Sequence, residues 1–222
     1  MSHSVLIAGA GPVGLTAALV LAEAGVPVMV FEAGADVEED LRASTFHPPT
    51  LDMLERFEGL TAELIAQGLV ARYTQQRDRQ AGLIAEFDMD VLRNDTRHPY
   101  RLQCEQWKLA RLLYQRLLKL PHVKVLFGCT VEQVTQSADA VSVQVRHQGE
   151  RQTLSGDYLV GADGAWSAVR QQTGIAFDGF TYPERFLVVS TDFEFADHLP
   201  QLSYVNYCSD PDRKSTRLNS SH

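Results

Sequence analysis

The chain has 222 residues, 45% hydrophobic and 22% charged, with a formal net charge of −8 at pH 7. That is enough apolar material for one sizeable domain or one and a half smaller ones, and the acidic balance, without a stripe of Lys and Arg, argues against a nucleic-acid partner. Cys104, Cys129 and Cys208 are widely spaced and match no metal pattern, so reduced thiols in a cytoplasmic protein are expected rather than a disulfide frame.

No residue from Val5 to Ala22 is charged, a run near the length of a membrane span. Gly9, Gly11, Pro12 and Gly14 interrupt it, a basic flank is missing, and a second apolar strand follows, so the segment reads as soluble. Val5, Leu6 and Ile7 form a short buried strand of the parallel kind. Leu15, Ala18, Leu19 and Ala22 then recur at helical spacing, Gly25 and Pro27 stop the helix, and Val28 to Phe31 make a second strand ending in Glu32.

The bend between them, Gly9-Ala10-Gly11-Pro12-Val13-Gly14, has the Gly-x-Gly-x-x-Gly pattern. Gly9 permits the turn, Gly11 leaves room for a pyrophosphate, and Gly14 lets helix and strand approach. Amides at the helix start face the phosphates. Glu32, at the strand tip, suits an adenosine ribose and repels a 2′-phosphate, which favours NAD or FAD over NADP.

After a polar loop holding Arg42, Pro48 and Pro49 open a helix with Leu51, Leu54 and Phe57 on its apolar face. Residues 69–103, with "LIAEFDMDVL", look strand-like but their order is not legible. "CEQWKLARLLYQRLLKL" is an amphipathic helix with Trp107, Leu109, Leu113 and Leu117 inward. The strand "VKVLFG" follows. An antiparallel meander then turns at Ser137–Asp139 and His147–Gly149 and feeds a buried strand, Tyr158 to Val160. "DYLVGADGAWSAVR" comes next, and its residue types leave Asp163 as a catalytic acid, a ligand for something phosphorylated or a helix cap.

The tail "DRKSTRLNSSH", residues 212–222, read back into codons, resembles a sequencing-library adapter, so the natural protein is expected to continue past Pro211. No side chain can be assigned as a catalytic base. His47 and His98 are candidates by residue type alone.

The glycine turn with Glu32, the Arg42 loop, "RLQCEQ" and "GADGAWSAVR" together resemble the FAD-dependent aromatic hydroxylases, flavoprotein monooxygenases of the para-hydroxybenzoate hydroxylase type. The resemblance spans nearly all of residues 4–190. "FHPPTLDMLERF" and "YPERFLVVSTDFEF" look most like members acting on hydroxyphenylpropionate. The implied fold is α/β, an FAD-binding Rossmann-like (ββα) domain with an antiparallel meander, plus the start of a substrate-binding β-sheet domain. Residues 1–175 would be the FAD-binding part and 176–211 the start of the substrate sheet, begun by "RFLVVSTDFEF", with 212–222 an artefact tail.

The resemblance also implies roles. Gly9, Gly11 and Gly14 form the pyrophosphate turn, with the Val13 amide on a phosphate oxygen, and Glu32 takes the ribose. Arg42 lies near the pyrophosphate, Gln103 contacts the flavin side, the Val131 backbone reads the adenine, and Asp163 holds amides and Arg170 in place. The implied partners are a phenolic or aromatic substrate, O2, and NADH or NADPH as co-substrate. A homodimer of the full-length protein stays open. The family's third fingerprint, a Gly-Asp stretch, has no match here, so this chain is expected to be inactive alone. Two alternatives remain: another flavoprotein oxidoreductase or halogenase of the same fold, and a non-enzymatic NAD-binding module. The flavin reading requires the glycine turn and the Asp163 turn to share one cradle.

Overall fold

The computed structural model describes residues 4–39, 44–199 and 201–210. In chain order the elements are β1 (Val5–Ala8), α1 (Pro12–Glu23), β2 (Val28–Phe31), β3 (Thr45–Phe46), α2 (Pro48–Leu54), α3 (Leu60–Ile65), β4 (Leu69–Ala71), β5 (Tyr73–Asp78), β6 (Gly82–Asp88) and β7 (Arg101–Gln103). They continue with α4 (Gln106–Leu117), β8 (Val123–Leu126), β9 (Cys129–Gln136), β10 (Val141–His147), β11 (Glu150–Gly156), β12 (Tyr158–Gly161), α5 (Ala168–Gln172), α6 (Phe195–His198) and β13 (Val205–Ser209). Two compact units form, Met1–Asp40 with Gln106–Gly179, and Leu41–Glu105 with Phe180–His222. Residues 41–105, grouped with the cofactor domain by sequence, therefore pack with the segment after 179.

The first unit is built on a parallel sheet in the order β12-β1-β2-β8. Side chains alternate across it, so Leu6, Met29 and Phe31 meet the antiparallel sheet β11-β10-β9 through Cys129, Val143 and Val145. Ile7, Val28 and Val30 are left for α1, which packs against α4. The uncharged run from Val5 is thus split between a four-residue strand and a twelve-residue helix, and no helix among the described residues is long and apolar enough to cross a membrane.

Helix α1 ends as its sequence dictates. Gly25 takes φ 77°, its amide donates to Ala22 O at 2.9 Å, and Val26 N donates to Leu21 O at 3.0 Å, the paired bonds of a glycine-terminated helix. In the β10–β11 hairpin, Gln148 and Gly149 both have positive φ, the two-residue turn whose twist suits antiparallel strands.

Three local expectations change. Trp107 is only half-buried, while Leu109, Leu113 and Leu117 are buried as expected. Strand β12 is only half-buried, at Leu159 and Val160, because it is the edge of its sheet, and Tyr158 faces out. "RFLVVSTDFEF" forms no strand, and Phe186 to Val189 are exposed. The strand that forms is β13, which finds a ladder partner in β5, parallel from Val205↔Thr74 to Ser209↔Asp78.

The second unit holds two three-stranded sheets, β13-β5-β6 and β3-β7-β4. "LIAEFDMDVL" divides between β6 and a short 3-10 turn, Met89–Leu92, which Asp88 caps by accepting from Asp90 N. Leu51, Leu54, Phe57, Leu60, Leu64 and Leu102 are buried in this unit.

Candidate functional site

Strands β1 and β12 run parallel from Val5↔Tyr158 to Ala8↔Gly161, and Ala162 N donates to Ala8 O at 2.8 Å. The two turns leaving these strands are therefore neighbours. At Gly9, φ is 99°, and an added Cβ would lie 2.3 Å from Ala162 O. At Gly14 a Cβ would lie 1.9 Å from Gly9 O. Both glycines are demanded by the chain itself.

Gly11 differs from both. Its φ of −70° suits any residue, and a Cβ there would meet nothing within 4 Å. Among the glycines with ordinary φ it is the one with open space beside it. Helix α1 starts from this residue with Pro12 at its first position, no side-chain cap and no acidic residue in its first turn. The first helical bond is Leu15 N to Gly11 O, 3.0 Å, so the amides of Val13 and Gly14 precede it. Backbone donors, the positive end of the helix dipole and open space thus meet at Gly11, the features that a pyrophosphate seat requires.

Glu32 stands at the tip of β2, and its carboxylate bridges two backbone amides, Ala10 N to Oε2 and Gly34 N to Oε1, each at 2.8 Å. Sequence patterning had not foreshadowed this clamp between the glycine turn and the next loop. Each oxygen keeps a lone pair for a ribose hydroxyl. The loop is also held from α4, where Arg111 donates to both oxygens of Asp36 at 2.8 and 3.0 Å. The Val37 amide first and Arg111 second hold the Asp36 carboxyl below the usual carboxylate range. Gly128 N to Gly34 O and Cys129 N to Glu32 O bring the start of β9 to the same tip. Val131 follows, beside a register shift that pairs Val145 with Val131 and Gln144 with Gln133.

Asp163 spends its carboxylate on its own helix. Oδ1 accepts from Ser167 Oγ at 2.5 Å, and Oδ2 accepts from Ala168 N at 2.8 Å and Val169 N at 3.2 Å. Ser167 in turn accepts from Arg170 N at 2.9 Å. Asp163 therefore caps α5 together with Ser167. Arg170 is held by the backbone, donating to Ala165 O at 2.9 Å, with its guanidinium 4.5 Å from the Phe177 ring centre.

Seven of the nine expected cofactor residues, Gly9, Gly11, Val13, Gly14, Glu32, Val131 and Asp163, thus belong to the first unit. Arg42 lies outside the described residues. Gln103 belongs to the second unit, buried in β7, where its Oε1 accepts from Thr45 Oγ1 at 3.0 Å.

The histidines part company. His47 is exposed at the start of α2. His98 is buried, with Nδ1 2.8 Å from Asp52 Oδ1 and Nε2 3.2 Å from Glu55 Oε1. With both ring nitrogens beside carboxylates, it ties its loop to α2. Thr96 Oγ1 donates to Asp52 Oδ2 at 2.7 Å, and that hydroxyl first, His98 second, lower the Asp52 pKa.

Residues 2–217 match the model of a family described as the FAD binding domain. The chain is similar to a para-nitrophenol 4-monooxygenase of Pseudomonas sp. (strain WBC-3), 35% identical over 207 residues, which are 93% of this chain and 51% of the relative. It is also similar to a 3-(3-hydroxy-phenyl)propionate/3-hydroxycinnamic acid hydroxylase of Mycobacterium sp. (strain JLS), 33% identical over 83% of this chain and 32% of the relative. The crystal structure of p-nitrophenol 4-monooxygenase PnpA from Pseudomonas putida DLL-E4 superposes with TM-score 0.85 at 33% identity, covering 95% of this chain and 52% of that one. The chain thus spans about half the length of the two p-nitrophenol monooxygenases and about a third of the hydroxylase.

Proposed function

Since the chain belongs to the FAD-binding-domain family, we propose that its first unit seats the ADP part of FAD, and that the whole protein is a flavoprotein monooxygenase hydroxylating a phenolic substrate. The observation carrying the cofactor half is the open space at Gly11 above uncapped amides, next to a turn whose own carboxylate is fully engaged. The named relatives, both oxygenating enzymes by title, favour a hydroxylase over a halogenase or a regulatory NAD module. A p-nitrophenol or hydroxyphenylpropionate-like ring is the substrate class those titles support.

Bound FAD supplies the redox chemistry: two electrons arrive as hydride from NADH or NADPH, one atom of O2 enters the ring as hydroxyl, and the other leaves as water. The chain's own residues do the holding. Val13 and Gly14 amides neutralise phosphate oxygens, Glu32 accepts from the ribose while keeping Ala10 and Gly34 fixed, and the backbone near Val131 borders the adenine. Asp163 keeps Ala168 to Arg170 in helical order, so the neighbouring wall stays rigid without placing a negative charge on the phosphates. Arg42 and Gln103 keep the roles the resemblance gives them.

The test is a titration of the chain with ADP, FAD and 2′-phospho-ADP, followed by amide NMR. Shifts should centre on Val13, Gly14 and Gly34, with ADP and FAD competing and the 2′-phosphate weakening binding roughly tenfold. Shifts spread elsewhere, or absent at millimolar ADP, would sink the seat. Incorporation of labelled oxygen from O2 into a phenol by the full reading frame tests the reaction. Product without the label would point to the oxidoreductase alternative.

A further inference from the structure

We infer that Arg111 of α4 is a positioning residue for the ribose end of the cofactor seat: through Asp36 it holds the loop that folds around the Glu32 carboxylate. The inference rests on the proposal that this unit holds the ADP part of FAD, and adds to it a residue that acts through another.

The loop leaves β2 at Glu32, and backbone bonds hold its first residues to the β8–β9 connection. Glu32 N donates to Leu126 O at 2.9 Å, Cys129 N to Glu32 O at 2.8 Å and Gly128 N to Gly34 O at 2.7 Å. Gly34 then closes over the carboxylate. Its amide donates to Glu32 Oε1 at 2.8 Å, and a Cβ on it would lie 3.3 Å from Oε1 and 3.4 Å from Asp36 O. Gly34 is therefore wedged between the Glu32 carboxylate and the Asp36 carbonyl, so a shift of Asp36 reaches the carboxylate through one residue.

Past Gly34, side chains take over. Asp36 Oδ1 accepts from Val37 N at 2.7 Å, and Arg111 Nη1 donates to Oδ1 and Oδ2 at 2.8 and 3.0 Å while Nη2 reaches Val37 O at 3.5 Å. The Asp36 side chain is 59% exposed, and an ion pair so open to water contributes little to stability by itself. A planar guanidinium meeting three acceptors nevertheless fixes direction as well as distance. Its base is firm, since Leu109, Leu112 and Leu113 of α4 are buried and α4 packs against α1. In the proposed seat the phosphate end thus belongs to the start of α1, and the ribose end is braced from α4.

The experiment titrates the whole chain with ADP and with inorganic pyrophosphate, by calorimetry and amide NMR, in wild type, Arg111→Gln, Arg111→Lys, Asp36→Asn and the double variant of Arg111→Gln with Asp36→Asn. Melting should move by no more than about 2 °C in any of them. Arg111→Gln should weaken ADP roughly fivefold and pyrophosphate by less than about twofold, with Arg111→Lys recovering part of the loss and the Gly34 amide shifted before any ligand is added. The double variant should bind ADP no more weakly than the worse single one, because both substitutions remove the same tie. Should Arg111→Gln fail to fold, Arg111→Lys decides, with ADP expected to weaken more than pyrophosphate. Equal losses of ADP and pyrophosphate, additive losses in the double variant, or wild-type ADP affinity in a folded Arg111 variant overturns the inference. ADP bound alike by wild type and variants leaves the cofactor seat standing and removes Arg111 from it, whereas no ADP binding by wild type removes the seat and the inference with it.

Discussion

Two neighbouring parallel strands, β1 and β12, each run into a glycine-containing turn and then a helix, yet the turns do opposite things with their amides. After β1 the helix starts on Gly11 with no side-chain cap and Pro12 behind it, so the donors of Val13 and Gly14 stay uncovered by any side chain. After β12, Asp163 and Ser167 take the amides of Ala168, Val169 and Arg170 for themselves. A strand followed by a glycine turn is therefore not by itself an anion seat. What matters is whether the turn's own side chains have already satisfied its donors.

The largest break in this comparison is expected at the glycines the fold needs. Gly14→Ala drives a Cβ into Gly9 O, and Gly9→Ala combines a clash on Ala162 O with a positive φ. Each should destabilise by about 3 kcal/mol or more, a drop of roughly 10 °C in melting temperature by calorimetry. Gly11→Ala separates the two demands. Its added methyl meets no protein atom, so melting should move by no more than about 2 °C, while ADP affinity falls at least roughly tenfold. Unchanged affinity there would mean that the space at Gly11 is not where the anion sits.

Asp163→Ala comes next. It leaves two amides without their acceptor, for about 1 kcal/mol of stability, and ADP affinity should fall only a few-fold, with Asp163→Asn recovering part of the loss. A Gly11-sized loss of affinity with melting unchanged would make Asp163 a ligand-contacting residue and abolish the contrast. The smallest effect belongs to Asp52, whose Thr96 hydroxyl repeats the Asp163–Ser167 pairing in the second unit. Its pKa is lowered on folding, so its contribution is present above the ordinary carboxylate value and lost as pH falls through the lower folded one. Thr96→Val should raise that pKa towards the ordinary value in a carboxyl NMR titration and flatten the acid side of the stability curve slightly.

Much of the first unit was written in short range. The bend at Gly9, the stop at Gly25, the hairpin at Gln148–Gly149 and the acid at Glu32 each follow from local φ, ψ and burial, which neighbouring residues dictate. The amphipathic spacing of α4 placed Leu109, Leu113 and Leu117 correctly for the same reason. It misjudged Trp107, because periodicity ranks a side chain's direction without knowing what covers it.

The tertiary structure alone decided the rest. It joined Ala162 to Gly9 across about 150 residues of chain by a parallel ladder, gave residues 41–105 to the later segment, and passed over "RFLVVSTDFEF" in favour of Val205–Ser209 as the partner of β5. It also turned Glu32 into a clamp and set Arg101 against the Tyr207 hydroxyl. Residue type and spacing fix which groups have hydrogen bonds to give. Only long-range packing, which trades chain entropy for burial, fixes whether those groups find partners within the chain or keep them for a ligand.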